Sequence, residues 1–101
     1  MANYNTNSGF SDLNGTMTVT NDNVDSYNST TLGAATVRNL GGNGLSFNLS
    51  FSSPARTYHV NASLSGTGFS GTANNNTPAA DQEPWTATAS TGEAEVKKAS
   101  Y

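Results

Sequence analysis

The sequence predicts an all-β fold: a small antiparallel up-and-down barrel of about eight strands, with a β-sandwich as the alternative. Three observations carry this. Apolar residues recur with a period of two in several separate stretches. The stretches are joined by short connections rich in Gly, Asn and Pro. No segment shows a helical period. Short connections set consecutive strands side by side and antiparallel. A sheet with one apolar face must then cover it, and sequential strands without a long crossover favour closure over stacking.

Residues 1–101 read as a single β-barrel domain, with 1–10 (MANYNTNSGF) as a flexible N-terminal segment. LNGTMTVT (13–20) puts Leu13, Met17 and Val19 inward and threonines outward, where β-branched side chains suit a solvated sheet face. VDSYNSTTL (24–32) is a weaker strand, and GAATVRNL (33–40) another whose inward face the pattern does not assign. GGNG (41–44) signals a hairpin turn, because Gly and Asn tolerate positive φ. The clearest strand is GLSFNLSFS (44–52), with Leu45, Phe47, Leu49 and Phe51 on one face and Ser46, Asn48, Ser50 and Ser52 on the other. Pro54 marks the next bend. TYHVNASL (57–64) then alternates Tyr58, Val60, Ala62 and Leu64 with His59, Asn61 and Ser63. NNNTPAADQEP (74–84) reads as the longest loop, and WTATAS (85–90) as a strand with Trp85, Ala87 and Ala89 inward. GEAEVKK (92–98) reads as a last short strand or a single helical turn.

Composition narrows the function. The net charge is −3 and charged residues make up 11% of the chain, with Lys97 and Lys98 the only basic pair. That disfavours nucleic acid and anionic membranes, whose recognition needs clustered Lys and Arg. Cysteine is absent, so neither a disulfide framework nor a thiolate metal site is available. Asn, Ser and Thr together outnumber the hydrophobic 34% of residues. The first dozen residues hold no apolar signal region, and no stretch approaches a transmembrane length, so no signal or lipid anchor and no membrane insertion are expected of these residues.

GTGFSG (66–71) spells G-x-G-x-x-G, the dinucleotide-binding fingerprint. That motif needs a helix behind it, whose N-terminus meets the pyrophosphate. Here TANNNTP follows, which cannot start a helix. The hairpin reading explains more. Inward parity runs through Tyr58, Val60, Ala62 and Leu64, then shifts by one residue to Phe69, Gly71 and Ala73. A shift of that kind marks a tight turn or bulge. Gly66 and Gly68 are therefore expected to turn the chain, and Phe69 to re-enter the core.

No catalytic site is expected, and the chain reads as a non-enzyme. Its single histidine, His59, lies at an outward strand position, and no nucleophile elbow is present. The candidate cofactor-binding residues are His59 and its neighbour Tyr58, as ligands of a haem iron. No metal site is expected: NDNVD (21–25) resembles a calcium loop but lacks its Gly and distant Glu. The other carboxylate pair, Glu93 and Glu95, lies on the terminal strand face. Five N-x-S/T triplets, at Asn14, Asn28, Asn48, Asn61 and Asn75, are no more than this composition supplies by chance. Trp85 with Tyr27, Tyr58 and Tyr101 offers the residues of a sugar-stacking platform, but the largest side chain of a small domain reads first as core.

The run VNASLSGTGFSGT resembles the barrel domains of transferrin-binding protein B and its relatives, the neisserial heparin-binding antigen and factor H binding protein. The family pattern apolar-x-A-x-[IL]-x-G-x-G-F-x-G-T is matched by Val60, Ala62, Leu64, Gly66, Gly68, Phe69, Gly71 and Thr72. Phe47, Leu49 and Phe51 would form the preceding strand. Gly92, Glu95, Val96 and Tyr101 are similar to the family's closing segment. Ala89 and Ser90 depart from the usual aromatic-Gly pair, and Lys97 and Lys98 stand where a Gly is usual. The resemblance implies an eight-stranded barrel, on or secreted from a Gram-negative cell, that binds a host protein for iron or haem acquisition or immune evasion. Contacts in that family lie on variable loops, so no binding residue carries over. Beside this reading stand two others: a phage or virion structural or receptor-binding component, and a haem carrier.

Overall fold

The computed structural model describes residues 2–42, 44–75 and 81–90. They form one nine-stranded antiparallel sheet curled into a nearly closed barrel. In chain order the strands are β1 (Ala2–Ser8), β2 (Gly15–Thr20), β3 (Asn23–Ser29), β4 (Gly33–Ala34), β5 (Thr36–Asn39), β6 (Leu45–Ser52), β7 (Ala55–Ser65), β8 (Gly68–Asn75) and β9 (Gln82–Ala89). Their order around the wall is β4-β3-β2-β1-β9-β8-β7-β6-β5. β4 and β5 are one run of chain interrupted at Ala35. The meander is therefore that of an eight-stranded up-and-down barrel, and the β-sandwich is set aside.

The N-terminal segment expected to be flexible is built into the barrel wall. Residues 2–8 form β1, which pairs with β2 on one side and β9 on the other. Ala2, Tyr4 and Thr6 are buried, while Asn3, Asn5 and Asn7 face solvent. The alternation is in the sequence, but asparagine is a poor strand former, and Ala and Thr make a faint apolar face. Thr6 is tolerated inside because its hydroxyl donates to the Leu13 carbonyl at 2.9 Å.

Leu13 itself lies not in β2 but in a single 3-10 turn, Ser11–Leu13, which folds into one mouth of the barrel. The expected loop 74–84 is also shorter, since β8 runs to Asn75 and β9 begins at Gln82. β3 carries a bulge opposite Thr18 and Val19, which accounts for the buried Val24 and Tyr27 having opposite parity. The tail 92–98 and its carboxylates lie outside the described residues.

Fully buried Trp85, Tyr4, Tyr27, Phe47, Leu13, Met17, Leu45, Leu49 and Val60 fill the interior. Aromatic rings meet edge to face, Phe47 with Trp85 at 5.8 Å and Tyr4 with Phe69 at 5.3 Å. A barrel of about eight strands is just wide enough for side chains to fill it.

Between β7 and β8 the hairpin closes with Ser65 opposite Gly68, leaving Gly66 and Thr67 as the two-residue turn. Gly66 has φ +58° and Thr67 is not left-handed. This is the pattern of a type II′ turn, with glycine at its first central position. Gly68 starts β8 rather than turning the chain, and Phe69 is buried as expected. A Cβ on Gly68 would collide with the Ala87 carbonyl oxygen of β9. Leu64 keeps its inward parity but stands past the rim of the barrel, 38% exposed.

Candidate functional site

Two polar constellations stand out. The first is inside the mouth closed by the 3-10 turn. Asp12 Oδ2 accepts hydrogen bonds from the Tyr58 hydroxyl and from Arg56 Nη1, each at 2.6 Å. This ties the β1–β2 connection to β7, 44 and 46 residues away. Burial pushes the Asp12 carboxyl up, but the hydrogen bonds from Tyr58 and Arg56 and the guanidinium charge outweigh it and hold the group below the usual carboxylate range. Tyr58 is pushed up to about 12, first by burial and then by the carboxylate beside it. The Phe10 and Phe51 rings pack on Tyr58 at 5.3 and 6.2 Å. Deeper in, the Tyr27 hydroxyl donates to the Leu13 carbonyl at 2.6 Å and accepts from Trp85 Nε1 at 3.0 Å. Burial raises the Tyr27 hydroxyl as well. Every contact here is internal, so the constellation fastens a plug.

The second is a row of outward side chains crossing five strands: Arg38, Asn48, His59, Asn74 and Gln82, each opposite the next in register. His59 Nδ1 lies 2.8 Å from Asn48 Oδ1. The carboxamide oxygen can only accept, so Nδ1 is the donor of this bond. Beside the row, Asn61, Ser63 and Ser70 line a shallow open depression of about 270 Å³.

The two candidate cofactor residues are not brought together. Tyr58 points into the barrel and binds Asp12, whereas His59 points out and binds Asn48. Adjacent strand residues face opposite sides of the sheet, so the pair does not converge on one iron. Trp85, Tyr27 and Tyr58 are all buried, which removes the sugar-stacking platform. Tyr101 lies outside the described residues. In NDNVD, Asn21 and Asp22 take positive φ in the tight β2–β3 turn, and Asp25 accepts from Thr20. Among the described residues no three His, Cys, Asp or Glu side chains converge as a metal site.

Of the five triplet asparagines, Asn28 and Asn61 are exposed, Asn48 holds His59, and Asn14 accepts the Ser8 N–H at 2.8 Å. Asn75 is half-buried, and its side chain accepts the Asp81 N–H.

Compared with protein-family models, curated proteins and solved structures, the chain matches none. The likeness to the transferrin-binding protein B barrels thus stands on the residues that carry it. In the structure these have structural duties: Val60 and Phe69 in the core, Gly66 in the turn, and Gly68 and Gly71 at close backbone approaches.

Proposed function

We propose that this chain is a non-enzymatic binding module that recognises a host protein with its outer wall, as part of a Gram-negative surface or secreted protein. One observation carries the reading: side chains fill the barrel interior, so a partner is met at the wall and not in a lumen. The outer row from Arg38 to Gln82 supplies amide, imidazole and guanidinium groups, with Arg38 and Gln82 exposed and His59 half-exposed. Groups of this kind suit a polar, hydrated protein interface. Host recognition and the surface location follow from the family likeness of residues 60–72.

The test is affinity capture from serum on immobilised chain. A partner retained by the wild type and weakened by Arg38→Glu or His59→Ala supports the reading. Serum that leaves no retained protein overturns it.

A further inference from the structure

The sheet ladder runs from β4 round to β5 and ends there, leaving a seam between β3 and β5. Two bridges cross that seam. At one end the Ala35 N–H donates to the Tyr27 carbonyl at 2.9 Å, next to the short β3–β4 pairing. At the other, Asn39 reaches across with its side chain. Its Oδ1 accepts the Val24 N–H at 2.8 Å, and its Nδ2 donates to the Val24 carbonyl at 3.0 Å.

A carboxamide is the side-chain equivalent of a peptide group. Donating to the carbonyl and accepting from the N–H of one residue is what a hydrogen-bonded partner residue does in an antiparallel ladder. Val24 is thus offered a substitute for a neighbouring strand. The bulge in β3 lies between the two bridges, and bulges end regular pairing.

We propose that the β3–β5 seam is a strand-addition site for an extended polypeptide segment, with the Asn39 carboxamide occupying the position of the incoming peptide group until the segment arrives. The proposal rests on the reading of the chain as a protein-binding module. It assigns that module a recognition mode in which main-chain hydrogen bonds supply the affinity. The segment would alternate, with small apolar side chains turned toward Val24 and half-buried Val37 and polar ones outward beside exposed Asp25 and Arg38.

The experiment is an NMR titration of the full chain with the peptide acetyl-Thr-Val-Thr-Val-Thr-amide. Amide shifts concentrated at Val24, Tyr27 and Val37 are expected. Asn39→Ala removes the substitute and should tighten peptide binding about tenfold, the worth of two modest hydrogen bonds. Asn39→Ser is too short to reach Val24 and keeps a polar side chain at this exposed position, so it should tighten binding by a similar factor, and it serves if the alanine variant does not fold. Shifts absent from the seam in wild type and variant alike, or binding unchanged or weakened by the folded variant, overturn the proposal. A peptide that induces self-association instead points to a second copy as occupant and also overturns it. Serum capture without seam shifts would sink the seam alone, and seam shifts without serum capture would sink only the host-protein reading.

Discussion

Leu64 and Phe69 face each other across the β7–β8 hairpin, yet the structure gives them opposite fates. Phe69 is 2% exposed and meets the Tyr4 ring edge-on at 5.3 Å. Truncating a buried Phe to Ala costs about 3–5 kcal/mol, through lost burial and the cavity left behind. At about 4–8 °C per kcal/mol for a domain of this size, Phe69→Ala should lower Tm by roughly 12–40 °C. Leu64 has already left the core, so Leu64→Ala should cost no more than about 1 kcal/mol. Thermal and urea unfolding of the two variants, followed by circular dichroism, measures the difference. Equal losses would mean that the parity shift at GTGFSG is misplaced, and a loss under about 1 kcal/mol for Phe69→Ala would refute its place in the core.

The plug gives a second test: Asp12→Ala leaves the Tyr58 hydroxyl without its acceptor and should cost about 1.5–3 kcal/mol in urea unfolding, with Arg56→Ala, at an exposed position, costing less. Because the folded Asp12 carboxyl lies below its unfolded value, its contribution is full above about pH 4 and is lost as pH falls through the folded pKa. Asp12→Asn should flatten that acid limb of the stability curve. At the alkaline end, burial holds Tyr4 and Tyr58 up at about 12. Their contribution is therefore complete below about pH 10 and lost as pH rises toward the folded values; phenolate absorbance should show delayed ionisation followed by cooperative unfolding, and Tyr4→Phe should soften the loss. Gly71→Ala would drive a Cβ into the Asn61 carbonyl and to 2.6 Å from Ala62 Cα, a backbone clash expected to cost about 1–3 kcal/mol. Gly66→Ala, with open space but φ +58°, should cost about 1–2 kcal/mol from the left-handed conformation alone.

How much of this was legible in the sequence depends on how large the alternating residues are. β6 and β7 announce themselves because Leu, Phe, Tyr and Val alternate with Ser, Asn and His. β1 does not, because its inward set is Ala2, Tyr4 and Thr6, and the burial of Thr6 depends on a carbonyl supplied by the 3-10 turn. β4 and β5 lacked an assignable face because that run leaves one neighbour for another at Ala35. The outward setting of His59 followed from parity, but its tie to Asn48 required the cross-strand register. The Asp12, Arg56 and Tyr58 constellation and the Asn39 bridge join residues that no local window contains. They become neighbours only when the barrel curls.

The pairing of the first strand with the last has a consequence for how the chain acquires its shape. β1 finds β2 at once through a short connection, but its other edge must wait for β9, where Ser90 reaches Asn3 across 87 residues. Closure of so distant a pair is slow, as in other β-rich chains dominated by non-local pairings. During synthesis, β1 is left as an unpaired edge until nearly the whole barrel has emerged. An exposed apolar edge would then invite pairing between molecules. The alternation of Asn3, Asn5 and Asn7 with Ala2, Tyr4 and Thr6 leaves Tyr4 as the one large side chain on the inward face of that waiting edge. The faint apolar face that hid β1 as a strand is also what limits the hydrophobic surface it shows before β9 arrives.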